Sequence, residues 1–248
     1  MRLLGPSNDC HARPTMTEPN KWTVKRFADV GTAEPFVARL SIGLLDILDA
    51  TQFPNRDEIK ESIIELTLES IMPAFLSLRE LRKIVDDDKV PILTKQKNYE
   101  DMYKSLWTAY KDRMKITANL MGYELGFLFQ KDSLFDDGCG QFEKSHPEVS
   151  EELIIRMRRN RAEWHLALRR FRNDYLEHKK IKREDVEEFY SLAHAERTFY
   201  RVWVAIEETL AILLVTQLSV NFCYTDIPET ERDPQLPLRF RLGLVKPG

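Results

Sequence analysis

Apolar residues recur at steps of three and four along most of the chain, which is the period of an amphipathic helix. With capping residues, prolines and polar joints as boundaries, this pattern predicts five long helices. They span residues 34–51, 55–85, 98–129, 149–177 and 186–220. Pro73 falls inside the second predicted helix, and we expect it to kink or split that helix because proline removes a backbone donor.

The scarcity of turn residues supports a helical fold. Between Val37 and Tyr224 the chain has only four prolines and five glycines, whereas an all-β or α/β chain of this length needs many more. We therefore predict an all-α, antiparallel bundle of about five long helices that forms one domain. That domain covers residues 34–224, after a mobile segment 1–33 and before a proline-rich irregular tail 225–248; a polar loop is predicted at 131–150.

Composition indicates the compartment. The 248 residues carry a net charge of −3 and three cysteines without a CxxC spacing. The first residues lack a long apolar run, so we expect no signal peptide there. We expect a reduced, cytoplasmic protein whose translation starts at Met1 or Met16. The most apolar stretch, Leu210–Val220, is too short to span a bilayer, so we expect no membrane partner.

Charge is unevenly distributed along the chain. The 28 residues from Arg156 to Arg183 contain eleven basic and three acidic residues, a net charge of +8, which leaves −11 for the remainder. Such a segment is either a solvated helix face paired with acidic neighbours or a phosphate-binding surface. Arginine outnumbers lysine in it, which favours bidentate contacts with phosphate.

A short motif lies inside this segment. In LRRFRNDYLEHKK, Arg172 is followed by Asn173 and, after four further residues, by His178. An arginine, a polar residue and a histidine at this spacing on a bundle helix resemble the motif of the HEPN superfamily. The resemblance covers residues 149–220 and the general bundle architecture.

The resemblance implies a set of functions. HEPN proteins are all-α bundles that often dimerise, and the active members are metal-independent endoribonucleases, frequently toxins or defence effectors. Other members are non-catalytic binding modules or partners of nucleotidyltransferases. The chain has no glycine-rich phosphate loop and no metal-ligand motif, so we expect neither a cofactor nor a metal.

A second match to the motif occurs earlier in the same predicted helix. Arg159, Asn160 and His165 have the same spacing. We favour Arg172 and His178 because they lie close to the predicted helix end and are followed by the basic residues KKIKR. The apolar residues Leu168 and Phe171 precede them and can anchor this part of the helix.

The motif residues suit RNA cleavage through the 2′-hydroxyl. His178 can act as base or acid because the pKa of an imidazole lies near neutrality. Arg172 can stabilise charge on the phosphoryl oxygens, and Asn173 can orient the phosphate or the imidazole. The product would be a 2′,3′-cyclic phosphate. The structural alternative for His178 is a cation that interacts with the C-terminal end of the helix dipole.

Helix geometry limits how these residues meet. Positions six apart differ by about 240° around an α-helix, so Arg172 and His178 do not share a face of one straight helix. They converge if the helix ends near Glu177, or if two copies of the fourth predicted helix meet in a homodimer, which is what the HEPN resemblance implies. Asp174 lies four residues before His178 and can fix its tautomer. Tyr175 can stack on a base or pack in the core.

Three functions remain open at this point. The first is a dimeric, HEPN-like endoribonuclease acting on RNA, as a toxin with an antitoxin partner or as a defence effector. The second is a non-catalytic HEPN-like module that binds RNA or a partner protein, and the third is a helical interaction protein in which the motif is coincidental. In the first two, the basic residues expected to contact RNA are Arg169, Arg170, Lys179, Lys180, Lys182 and Arg183.

Overall fold

The computed structural model has a helical body, in agreement with the predicted all-α fold. It describes residues 15–18, 21–28, 44–45, 47–49, 51–149, 151–217, 221–226, 230 and 238–245. The long helices are α1 (56–84), α2 (92–120), α3 (Asp132–Ser145), α4 (151–177) and α5 (Leu192–Val215). Short 3₁₀ helices cover Gly126–Phe129 and Arg183–Tyr190. Residues 44–45 and 47–49 are helical, and the rest of the first predicted helix lies outside the described residues, apart from Thr51.

Widened π-helical turns occur within three of these helices. They are Leu66–Ile71 in α1, Thr108–Arg113 in α2, and both Arg161–His165 and Arg170–Glu177 in α4. In a π-helical turn the N–H bonds the carbonyl five residues back, so side chains five apart approach each other. The last of these segments carries the predicted motif, and the α-helical spacing assumed for it therefore does not hold.

The interruption predicted at Pro73 is the π-helical turn Leu66–Ile71, which lies just before this proline. The chain stays helical from residue 56 to 84, but the Met72 N–H bonds the Thr67 carbonyl, five residues back. Proline lacks an N–H and its ring crowds the carbonyl four residues earlier. A widened turn directly before Pro73 accommodates both effects without ending the helix.

The polar loop predicted at 131–150 is wrong over most of its length, because Asp132–Ser145 forms α3. Phe135, Cys139 and Phe142 are buried on one face of this helix, at the spacing of four and three that marks a helix face. Gly138 falls within that predicted loop, but it lies inside the helix against Phe127, where a Cβ atom would come within 2.3 Å of the Phe127 Cβ. This glycine permits close packing rather than a turn.

Helix α5 lies at the centre of the bundle. Every residue from 205 to 215 is buried, and α5 contacts α1, α2 and α4. The part of α5 from Leu210 to Val215 is apolar on all sides and is covered on all sides, which accounts for the apolar stretch that begins at Leu210. Among the described residues, no helix combines the length and apolar character needed to cross a bilayer.

Adjacent helices run antiparallel. The Met72–Ile84 part of α1 contacts Ile92–Trp107 of α2, and the start of α1 contacts the end of α2. Helices α4 and α5 are joined by the ion pair between Arg156 Nη1 and Glu208 Oε1, at 3.0 Å.

The two ends of the described chain form an antiparallel sheet. Its strands β1 (Thr15–Glu18), β2 (Lys21–Ala28), β3 (Asn221–Asp226) and β4 (Leu238–Val245) are ordered β1-β2-β4-β3. This corrects the irregular conformation predicted for 1–33 and 225–248 at the paired residues. The sequence of β4 contains a pattern typical of a strand. In LRFRLGLV, apolar residues alternate with other residues, which is the two-residue period of a strand.

Arg161 of α4 joins α3 and the preceding 3₁₀ helix to the bundle. The residue is 6% exposed, and its guanidinium donates to the carbonyls of Leu128 (3.0 Å) and Gln130 (2.9 Å) and to Asp132 Oδ1 (2.6 Å). Its Cζ atom also lies 4.4 Å from the centre of the Phe135 ring. A buried guanidinium with this many partners has a structural role.

We predict that Arg161→Met lowers the free energy of unfolding by about 3 kcal/mol, because two carbonyls lose a charged donor in a buried position. Urea unfolding followed by circular dichroism measures the change. The matched control is Arg158→Met, which removes an exposed ion pair with Asp136 and should cost less than about 1 kcal/mol. Equal losses in the two variants would contradict the structural role of Arg161.

Candidate functional site

The predicted motif lies at the C-terminal end of α4, where the helix stops after Glu177. His178 ends the helix with φ −100° and ψ −10°, and its N–H donates to the Asn173 carbonyl at 3.0 Å. The Lys180 N–H donates to the Asp174 carbonyl at 2.7 Å. The helix end predicted near Glu177 is therefore present, and both bonds reach further back than the four residues of an α-helical hydrogen bond.

Arg172 is held by two neighbours on the same helix end. Its Nη1 donates to Asn173 Oδ1 at 3.0 Å and to Glu177 Oε2 at 2.5 Å, and 27% of its side chain is exposed. Arg172 and Glu177 are five residues apart, the spacing that a π-helical turn brings together. This contact places the guanidinium beside the residue that directly precedes His178.

His178 is exposed to solvent. The partner predicted for its imidazole, Asp174, lies instead 4.0 Å from Lys180 Nζ. That prediction assumed α-helical spacing, in which residues four apart share a face, whereas this turn is π-helical. The structure thus brings Arg172, Asn173 and Glu177 into contact and leaves His178 accessible at the adjoining turn.

The competing motif, Arg159–His165, differs from the motif at Arg172 because its histidine is buried. Its histidine, His165, is 1% exposed and has aromatic neighbours on several sides, with its Nε2 atom lacking a hydrogen-bond partner in the described part of the chain. Burial, with Arg161 and Arg169 nearby, lowers the pKa of His165 to about 3. The ring centres around it lie 5.4–6.1 Å away and belong to Trp107, Tyr110, Phe129 and Trp164.

A buried, neutral imidazole cannot reach a substrate in solution. Asn160 of the same motif accepts a hydrogen bond from Trp164 Nε1 at 3.4 Å, and Arg159 is exposed on the helix surface. The members of this motif therefore point in different directions. Of the two matches, only the one at Arg172 has a histidine that is accessible to solvent.

The basic segment divides into two parts. In its first half, Arg156, Arg158 and Arg161 form ion pairs with acidic side chains, and two of them are buried. In this half, the first of the two alternatives applies: the basic residues are paired with acidic neighbours. The net charge of +8 therefore overstates the basic surface available to a ligand.

The second half keeps its cations at the surface. Arg170, Lys179, Lys180, Lys182 and Arg183 are exposed, while Arg169 is half-buried and donates to the Gln130 carbonyl at 3.2 Å. These residues surround the end of α4, where the motif lies. The basic surface that remains is therefore adjacent to Arg172 and His178.

Aromatic residues pack beneath this basic surface. Tyr175 is half-buried and stacks on the fully buried ring of Phe171, with ring centres 5.5 Å apart. Its Oη lies 3.3 Å from Tyr190 Oη, which in turn lies 3.0 Å from Glu100 Oε1. Burial, followed by the bonds to Tyr175 and Glu100, raises the pKa of Tyr190, so its hydroxyl stays protonated. The sequence pattern did not identify Tyr190 or Glu100.

Other groups with possible chemistry lie elsewhere. Cys139 is buried in α3, and burial raises the pKa of its thiol to about 11, which keeps it in the unreactive thiol form. Within the described ranges, no three histidine, cysteine or acidic side chains come together as a set of metal ligands.

Comparison of this chain with protein-family models, with curated proteins and with solved structures found no match. The functional interpretation therefore depends on the residues and geometry of this chain.

We predict that His165 makes the fold sensitive to acid. Its pKa is about 3 in the folded state and about 6.5 when unfolded, so the unfolded state binds an extra proton below pH 6.5. Stability is complete above that pH and falls by up to about 1.4 kcal/mol per pH unit as the pH drops toward 3. Urea unfolding at pH 7.5, 6 and 5 should show a shallower loss in His165→Phe. Equal pH dependence in the two proteins would contradict the prediction.

Proposed function

We propose that this protein is a HEPN-like, metal-independent endoribonuclease whose site comprises Arg172, Asn173 and His178. One observation carries the proposal: Arg172 and Asn173 are in contact in the last turns of α4, and the helix ends at the exposed His178, which an exposed basic turn follows. The competing His165 is buried. Such an enzyme would act as a toxin restrained by an antitoxin partner, or as a defence effector.

The residues divide the chemistry as follows. His178 removes the proton of a 2′-hydroxyl, and the 2′-oxygen attacks the adjacent phosphorus. The bond from phosphorus to the 5′-oxygen breaks, the 5′-oxygen takes a proton from water, and the products are a 2′,3′-cyclic phosphate and a 5′-hydroxyl. Arg172 stabilises the charge that develops on the phosphoryl oxygens. Asn173, which already contacts Arg172, orients the guanidinium. The substrate phosphate must displace Glu177, since that carboxylate now occupies Arg172.

The position of Glu177 also favours a second function. A carboxylate 2.5 Å from Arg172 partly neutralises the group that would bind the reacting phosphate. This arrangement suits a non-catalytic HEPN-like module that binds RNA or a partner protein through the exposed turn. Cleavage assays separate the two functions.

We further propose that a second copy of the chain completes the site through α4. The outer surface of this helix exposes Ile155 (51%) and Leu166 (40%), with the exposed Ala162 between them. Exposed apolar side chains on a helix that also carries the motif suit an interface between two copies. In such a dimer the two helix ends would supply two arginines and two histidines to one cleft.

For the ribonuclease, we predict that the wild-type protein cleaves single-stranded RNA in EDTA and leaves 2′,3′-cyclic phosphate ends. Arg172→Ala and His178→Ala should each lower the rate by about 100-fold or more, because they remove charge stabilisation and proton transfer. Gel electrophoresis of labelled RNA, with mapping of the ends, measures both effects.

The matched control is His146→Ala, which removes a histidine at the end of α3 that bonds Glu148. This variant should cleave like the wild type. Cleavage that requires Mg²⁺, or that survives His178→Ala, contradicts the assignment. Salt-sensitive RNA binding without cleavage supports the non-catalytic module instead.

For the dimer, we predict that Leu166→Glu weakens self-association at least about tenfold, because a charge is placed in an apolar contact. Size-exclusion chromatography with light scattering at several protein concentrations measures the shift from dimer to monomer. The control is Leu93→Glu, at a residue of α2 that is 73% exposed. A wild-type protein that is monomeric at all concentrations contradicts the dimer.

A further inference from the structure

Lys179 has a backbone conformation that lysine rarely adopts. Its φ of 50° makes it the one described non-glycine residue with a positive φ. It directly follows His178, the residue that caps α4, at a position where a left-handed residue commonly ends a helix, and that residue is usually glycine. A side chain at this position destabilises the fold relative to glycine. We therefore expect the Lys179 side chain to have a function that offsets this loss of stability.

The side chain of Lys179 lies over an aromatic ring. Its Nζ atom is 5.1 Å from the centre of the Tyr175 ring, within the range of a cation–π interaction. The ring is fixed from below, because Tyr175 stacks on the fully buried Phe171. The left-handed backbone and the ring together fix the position of one exposed ammonium group.

Arg183, at the start of the 3₁₀ helix Arg183–Tyr190, also lies over an aromatic ring. Its Cζ atom lies 4.8 Å from the centre of the Tyr190 ring. With the amide of Gln96 turned so that its oxygen faces the guanidinium, Arg183 Nη2 donates to it at 2.8 Å. The supporting ring is itself tied down, since Tyr190 Oη contacts Glu100 of α2.

The two supporting tyrosines touch each other. Tyr175 Oη and Tyr190 Oη are 3.3 Å apart, so the rings that carry the two cations belong to one cluster. Among the described residues, Lys179 and Arg183 form no ion pair, in contrast to Arg172 and Lys180, which are paired with carboxylates. Their charges are therefore fixed in position without being neutralised.

We propose that Lys179 and Arg183 are a pre-positioned pair of phosphate-binding cations that contact the backbone of RNA next to the catalytic residues. This rests on the proposed function, because it takes RNA to be the ligand of that site. Tyr175 and Tyr190 act as positioning residues: their ring faces carry the cations and so are not available to stack on bases. Fixing the cations before binding lowers the entropy lost when a phosphate is bound.

Binding is measured with a single-stranded 2′-O-methyl RNA, which lacks the 2′-hydroxyl needed for cleavage. Its affinity is followed by fluorescence anisotropy as a function of salt concentration. Each phosphate contact contributes a slope of about −0.7 in log K against log salt. Lys179→Gln and Arg183→Gln should each make the slope shallower by about 0.7. The control Lys60→Gln, at an exposed position of α1, should leave it unchanged.

The backbone conformation of Lys179 gives a second measurement. Lys179→Gly should raise Tm by about 2 °C, because glycine adopts the left-handed conformation without strain, and should weaken RNA binding as Lys179→Gln does. A substitution that stabilises the fold and weakens binding is not expected of a residue with a purely structural role.

The positioning role is tested at Tyr190. Tyr190→Phe keeps the ring beneath Arg183 and should bind RNA within about twofold of the wild type, whereas Tyr190→Leu should bind about two- to fivefold more weakly. Equal binding by the two variants overturns the positioning role.

Unchanged salt slopes in both Lys179→Gln and Arg183→Gln overturn the cation pair, even if the protein cleaves RNA. Altered slopes without any cleavage by the wild type retain the pair and overturn the ribonuclease. Failure of the wild type to bind the 2′-O-methyl RNA overturns the pair, while the cleavage assay still decides the proposed function.

Discussion

The burial of Phe171 is the contact on which the end of α4 depends. Its ring is fully buried, stacks on Phe189 with centres 4.3 Å apart and an angle of 6°, and meets the edge of Tyr103 at 5.1 Å. These contacts fix α4 to α2 and to the following 3₁₀ helix at once. Arg172 and Asn173 follow Phe171 directly, so the groups proposed to act on RNA extend from a rigid base, as a site that must hold its geometry requires.

The sequence predicted the long helices well where their apolar residues face a single core. The fourth predicted helix, 149–177, matches α4 at 151–177 closely, and the fifth contains all of α5. The helix prediction failed at α3, because glycine can either form a turn or allow close packing inside a helix. Gly138 falls within the predicted polar loop, yet it lies in α3 and allows Phe127 to pack against that helix. The two-residue alternation in β4 is too short and too far from its partners in sequence to identify a sheet by itself.

The site could be predicted only as a choice between two identical motifs. Arg159–His165 and Arg172–His178 have the same residues at the same spacing, so the motif itself does not separate them and only the flanking residues favour the second. The difference arises from contacts with other helices: the rings of Trp107 and Tyr110 on α2 cover His165, whereas no ring of the described residues packs on His178, which is exposed. Likewise, the arginines of the basic segment are alike in sequence, but Arg161 is 6% exposed and Arg170 lies at the surface.

The π-helical turn at the end of α4 changes which residues of the motif can cooperate. On an α-helix, residues four apart share a face, and Asp174 would then serve His178. Here the hydrogen bonds reach five and six residues back, so Glu177 meets Arg172 and Asp174 turns toward Lys180. His178 is thereby left without an acidic partner at α-helical spacing and faces solvent beside the left-handed Lys179. An exposed group in that setting is accessible to the phosphate, or to the second copy of the chain, that we propose as its partners, because the widened turn leaves it without a carboxylate at α-helical spacing.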